Sequence, residues 1–162
     1  MQVLQNPTEE WIERHRVVAE ALSWQKTPYL HEARLKDIGC DCITLLAGVF
    51  ENAGLIARVP IEHYPQDWMH HRDAERYMEG LMQYAGEIAR SPQPGDIALW
   101  KFGRCYSHGA IVIEWPLVLH ARPGCGVVQE NVWSSPWLTY IGENVSDKGK
   151  LRPVRFFSFW RK

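Results

Sequence analysis

The chain reads as α+β, with N-terminal helices packed on a C-terminal antiparallel sheet. Helical periodicity is confined to the first half, the texture turns to short β-branched and aromatic runs after Pro94, and glycine and proline turns separate several of those runs. At 162 residues it is expected to be one domain, 1–162, long enough for a real core.

Each element has a local reason. Thr8 can N-cap a helix over about Glu9–Ser23, with two acids in its first turn and Trp11, Val18 and Leu22 among its apolar positions. Pro28 then breaks "KTPYLHEARLKD" into an extended stretch and a loop. A second helix begins near Cys42 and runs to about Ala53; Leu46, Val49, Phe50 and Ala53 recur at helical spacing, and Gly54 is a natural C-cap. Residues 57–93 read as a polar, helical insertion, with a third helix over about Asp67–Ala89 ended by "SPQPGD". Beyond it, "DIALWKF", "HGAIVIEW", "LVLHAR", "GVVQENV" and "PVRFFSFW" are strand candidates.

The totals exclude several classes. With 46% hydrophobic residues the chain is not disordered, and a net charge of −1 offers no nucleic-acid footprint. No run of 18 apolar residues exists, so no membrane span is expected. The start "MQVLQNPTEEWIERHRVV" carries no basic-then-apolar leader, which implies synthesis in the cytoplasm. In that reducing setting the four cysteines (Cys40, Cys42, Cys105, Cys125) read as free, metal-bound or catalytic rather than as a disulfide framework.

Cys42, in "GCDCITLLAGVF", stands where a helix N-terminus favours a thiolate through its free N–H groups and dipole. A thiol there is a nucleophile, half of a metal site, or a small buried side chain. His108 opens "HGAIVIEW" and His120 lies in "LVLHAR". If these strands are neighbours through the "EWP" turn, one imidazole can orient the other, as the third member of a triad does. Cys40, Cys42, Cys105 and His108 also form C-x-C and C-x-x-H pairs, a conceivable zinc set, although a cysteine nucleophile accounts for more residues. Cys40 reads mainly as packing. His15, His63, His70 and His71 read as solvated. Arg122 suits a surface position, or a substrate carboxylate. Trp133 and Trp137 are candidates for an exposed rim that meets glycan or a neighbouring protein.

Taken together, "GCDCITLLAGVF", "PGDIALWK", "SHGAIVI" and "LHARPGCGVV" resemble the NlpC-type bacterial cell-wall cysteine peptidases. The "CDC" and the "HA…GVV" followed by "SPW" look more narrowly like the phage tail-associated, prophage-encoded members. The resemblance spans about 27–160. It implies a papain-like α+β fold, Cys42 as nucleophile, His108 as general base and His120 as the residue orienting it. Tyr29 would line the site and help the oxyanion beside the Cys42 N–H, and Asp41 would read the free amino end of the stem peptide. The implied reaction is hydrolysis of the γ-D-glutamyl–diamino acid bond in peptidoglycan stem peptides. No metal or organic cofactor is implied, phage tail proteins are the implied partners, and the cell wall is the implied place of action. Ile43 and Thr44 replace a small polar residue and a glycine, and "HEARLKD" replaces a glycine-rich turn. These departures motivate a second reading, a catalytically silent tail-tip structural protein on the same fold. A thiol amidase or esterase with another substrate is a third.

Overall fold

The computed structural model describes residues 8–67, 75–139 and 150–160. Helix α1 (Glu9–Ser23) begins where expected, the Thr8 hydroxyl accepting from the Trp11 N–H. Its inward face differs from the expected one. Arg14, Val17 and Ala21 are buried, whereas Trp11 is 50% exposed. The reason is Arg14, which turns inward to a buried carboxylate described below.

A two-residue ribbon, β1 (Arg34–Leu35) with β2 (Gly39–Cys40), leads directly into α2 (Cys42–Asn52). Leu46, Val49, Phe50 and Ala53 are all buried, and Gly54 follows at φ +80°, the left-handed geometry that ends a helix.

The expected helix over Asp67–Ala89 is corrected. Among the described residues of that stretch, only α3 (Arg76–Met82) is helical, residues 57–67 are irregular, and Gly86–Ile88 is a strand, β3. Residues 68–74, which include His70 and His71, lie outside the described residues. Tertiary pairing overrides local propensity at β3. Gly86, Glu87 and Ile88 pair with Ser158, Phe157 and Phe156, and Glu87 forms a two-pronged ion pair with Arg155.

The remaining strands are β4 (Ile97–Phe102), β5 (Cys105–Glu114), β6 (Leu117–Arg122), β7 (Gly126–Asn131) and β8 (Val154–Ser158). They form one antiparallel sheet of order β3-β8-β4-β5-β6-β7. Alternation along the strands sorts the core into two layers. Ile97, Leu99, Ile111 and Leu119 pack with Val17, Leu45, Val49 and Phe50 of the helices. Ala98, Trp100, Ala110, Val112 and Val118 pack on the other face with Val132 and Leu138. Among the described residues no helix is long and apolar enough to cross a membrane.

"PGD" acquires a structural role here. Asp96, fully buried at the start of β4, pairs with Arg14 of α1 at 2.9 Å and with Arg90 at 2.8 Å, and it accepts from the Gln93 N–H. Burial works to raise its pKa, but Arg90, the Gln93 N–H, Ser158 and Arg14 outweigh that and hold the carboxyl below its ordinary value. Gly95 sits at φ +87° with the Trp160 ring 3.2 Å from where a Cβ would stand, so a side chain is unwelcome twice over. Replacing Asp96 by Ala removes the buried carboxylate that Arg14 and Arg90 share and leaves Arg14 only the more exposed Glu10 carboxylate. The expected loss is about 3–5 kcal/mol of unfolding free energy, measured by urea denaturation at pH 7; a loss below about 1 kcal/mol would show that the pair does not hold α1 to the sheet.

Candidate active site

The start of α2 is organised by one carboxylate. Asp41 is the N-cap: its Oδ1 accepts from the N–H groups of Ile43 and Thr44 at 3.0 Å, and the Thr44 hydroxyl accepts in return from the Asp41 N–H at 2.9 Å, completing a capping box. Thr44, a departure from the expected glycine, is thus part of the cap. Oδ2 accepts from the Glu32 N–H at 2.8 Å and from the Tyr64 hydroxyl, with His31 Nδ1 3.5 Å away. With 2% exposure, Asp41 has its carboxylate engaged by the protein itself. A substrate amine would have to displace the Tyr64 hydroxyl or be met through it.

The cap places Cys42 in the first helical turn, half-buried. Its Sγ lies 3.6 Å from the Ser107 carbonyl oxygen, and the Gly109 N–H donates to it. The thiol therefore rests against the backbone on both sides of His108. Burial, and then Asp41, push this thiol up to about 12, against the pull of the Gly109 and Cys42 N–H groups. The expectation that the helix start would favour a thiolate is outweighed by desolvation. Tyr77 of α3 donates to the Cys42 carbonyl at 3.0 Å, and a Cβ on Gly109 would collide with that hydroxyl. Tyr29 is half-buried beside the site; burial raises its pKa well above the ordinary phenol value, with Cys42 and Asp41 adding to the effect.

His108 and His120 meet as anticipated. His108 Nε2 lies 2.7 Å from His120 Nδ1, with the rings nearly perpendicular. Ile111 pairs with Leu119 across β5 and β6; extending that register by one step sets His120 opposite Ala110, so the two rings meet on the diagonal rather than face to face. His120 is fully buried and His108 is 6% exposed. Phe102 and Trp137 flank the His108 ring at 5.3 and 6.0 Å between centroids. Burial, reinforced by His120, lowers the His108 pKa well below its ordinary value; Glu130 opposes this and Arg152 adds to it. The imidazole is thus neutral at neutral pH.

Several readings change. Trp137 is not rim but a wall of the histidine pair, while Trp133 is 60% exposed. Arg122 is bound to Glu130 at 2.7 Å, so it does not wait for a substrate carboxylate. His15 and His63 are exposed as expected. The zinc set does not assemble: among the described residues no three His, Cys, Asp or Glu side chains are grouped to hold a metal. Cys40 and Cys105 are buried, and Cys125 is exposed.

Tyr64, Tyr77 and Glu130 were missed. Both tyrosines lie in the stretch that reads as a polar, helical insertion, where no periodicity ties them to α2. Glu130 had a usable signal, since a residue at even offset in the strand after "LVLHAR" can share the face of His120. Ile43 lines a cavity of about 550 Å³ with Leu46, Phe50, Tyr64, Tyr77 and Phe159; Cys42, His108 and His120 do not line it.

No family model matches the chain, and no curated protein does. Solved structures do resemble it. The NlpC/p60 domain of the peptidoglycan hydrolase SagA is 21% identical, with 74% of this chain and 89% of that one covered and a TM-score of 0.54. NlpC1 from Trichomonas vaginalis is 14% identical over 99% of this chain and 48% of its own, at a TM-score of 0.60. This is the papain-like NlpC/p60 fold. An NLP/P60-family protein described as similar to lipoprotein, from Staphylococcus aureus, is 19% identical over 96% of this chain and 44% of its own, at 0.54. The chain spans under half the length of the latter two. At these identities the shared property is the fold.

A thiol held up to about 12 makes a kinetic prediction. Site-resolved alkylation of Cys42 by iodoacetamide should rise about tenfold per pH unit between pH 8 and 10, because only the thiolate reacts. A plateau beginning below pH 8 would show instead a standing thiolate–imidazolium pair.

Proposed function

We propose that the protein is a cysteine endopeptidase acting on peptidoglycan stem peptides, at the γ-D-glutamyl–diamino acid bond. The observation that carries this reading is the Cys42 thiol lodged against the Ser107–Gly109 backbone, with His108 hydrogen-bonded to the buried His120. The likeness to NlpC/p60 domains, among them one of a peptidoglycan hydrolase, supports the choice of substrate.

His108 Nε2 is engaged by His120, so Nδ1 is the nitrogen left to serve the thiol. The resting thiol and imidazole are both neutral, which makes His108 a general base during attack rather than half of a preformed ion pair. The Sγ proton passes to Nδ1 as Sγ bonds the amide carbon. The carbonyl oxygen takes the negative charge, met by the Cys42 N–H and the Tyr29 hydroxyl. The C–N bond then breaks and the departing amine takes the proton from His108. Water attacks the thioester, again giving its proton to Nδ1; the C–S bond breaks, and the thiol and a carboxylic acid result. No cofactor enters this cycle. We place the action at the cell wall, carried there by a phage-like tail particle; the "CDC" and "HA…GVV…SPW" resemblance supports that delivery.

Two observations favour a second reading, a catalytically silent tail protein. The nucleophile is held neutral, and the Asp41 carboxylate is already occupied by Tyr64. Digestion of purified peptidoglycan by the wild-type protein and by Cys42→Ala separates the two. Fragments cut after γ-D-glutamate, identified by mass spectrometry and lost with Cys42→Ala, are the expected result. A folded wild-type protein that releases nothing from several wall types would leave the silent reading standing.

A further inference from the structure

Resting on the peptidase reading, we propose that Glu130 is a positioning residue for the histidine pair: its carboxylate fixes the His120 tautomer, and through it the tautomer of His108, so that the His108 lone pair sits on Nδ1.

The geometry is a chain of three side chains on one face of three adjacent strands. Glu130 pairs with Val118 in the β6–β7 register, while His120 pairs with Val128, which makes Glu130 and His120 diagonal neighbours. Glu130 Oε2 lies 3.2 Å from His120 Nε2. The nitrogen does not meet it at a straight hydrogen-bond angle, yet it is wholly buried with no better partner among the described residues. The pairing is the answer to an otherwise costly burial. The carboxylate is itself held in place, Oε1 accepting from Arg122 Nη1 at 2.7 Å and Oε2 from the Ser135 hydroxyl.

A carboxylate can only accept, so the ring nitrogen facing it carries the proton. The approach of His120, then Ser135 and Arg122, outweigh burial and bring the Glu130 carboxyl down to about 2, so it stays ionised throughout the working range. Neutral His120 is then Nε2–H, and its Nδ1 is an acceptor. The 2.7 Å bond to His108 Nε2 in turn requires a proton on that atom, which leaves Nδ1 of His108 unprotonated. Without the carboxylate, His120 is free to carry its proton on Nδ1 and donate. His108 would then carry its own on Nδ1, the tautomer unable to accept from a thiol. Besides Glu130, the charged groups acting on the pair among the described residues are Arg122 on β6, which holds Glu130, and Arg152 ahead of β8; the Cys42 thiol rests on the Ser107 carbonyl next to His108.

The test uses the full chain labelled with ¹⁵N. Long-range ¹H–¹⁵N spectra of the imidazoles should show Nε2–H on both His108 and His120 in the wild-type protein. In Glu130→Gln, His120 should populate Nδ1–H and His108 follow it. On a soluble muropeptide, kcat should fall at least about tenfold, with KM changed less than about threefold. The acid limb of kcat/KM should move to lower pH, since Glu130 is the group that raises the His108 pKa; loss of packing alone would leave that limb in place. Nδ1–H on His120 in the wild-type protein overturns the proposal whatever the variant does. So do unchanged tautomers in a folded Glu130→Gln, or altered tautomers with unchanged kcat. A wild-type protein that digests nothing while its tautomers shift in Glu130→Gln sinks the peptidase reading and upholds Glu130's part.

Discussion

One carboxylate sets the position of the thiol at the candidate site. Asp41 caps α2, and because both its oxygens are used, it also gathers the Glu32 backbone and the Tyr64 side chain to the same point. The helix start, the approach from β2 and the irregular stretch around 56–65 are thereby registered against one another. Cys42 is the next residue, so its thiol inherits that registration. The sheet supplies the other half through a strand buried on both faces: Gly109 and Ile111 turn towards the helices, while Ala110 and Val112 turn to the second layer.

The arrangement trades one property for another. A helix N-terminus alone lowers a thiol pKa, and the N–H groups at Cys42 and Gly109 do pull in that direction. Burial and then the Asp41 charge push harder the other way. The outcome is a thiol and an imidazole that both rest uncharged. An uncharged pair avoids the desolvation that a buried ion pair would bear, and under the proposed peptidase reading it requires a proton to move during each attack.

The legible parts of the molecule were those whose determinants are local in sequence. Thr8 and Glu9–Ser23, the helix after Cys42, and the alternating runs after Pro94 each carry their signal within a dozen residues, and each forms as read. Strand β3 does not, because "GEI" is a strand only by virtue of Phe156–Ser158 far downstream. The inward turn of Arg14 is equally non-local, since Asp96 is what draws it from solvent. At the site, His108 and His120 were readable from one short turn between two strands. Glu130 needed the register of a further hairpin, and Tyr64 needed the course of a stretch without periodicity.

The sheet order has a consequence for how the molecule assembles. β8 is the last strand among the described residues, yet it lies inside the sheet, between β3 and β4. Strands β4 to β7 follow one another as neighbours and can zip by short hairpins, carrying His108, His120 and Glu130 into place early. β3 has no strand partner until β8 arrives, and bringing residues so distant together bears a larger loop-closure entropy. Folding is therefore polarised: the histidine ladder belongs to the local, fast half, and the closing of the opposite edge waits for β8 to arrive.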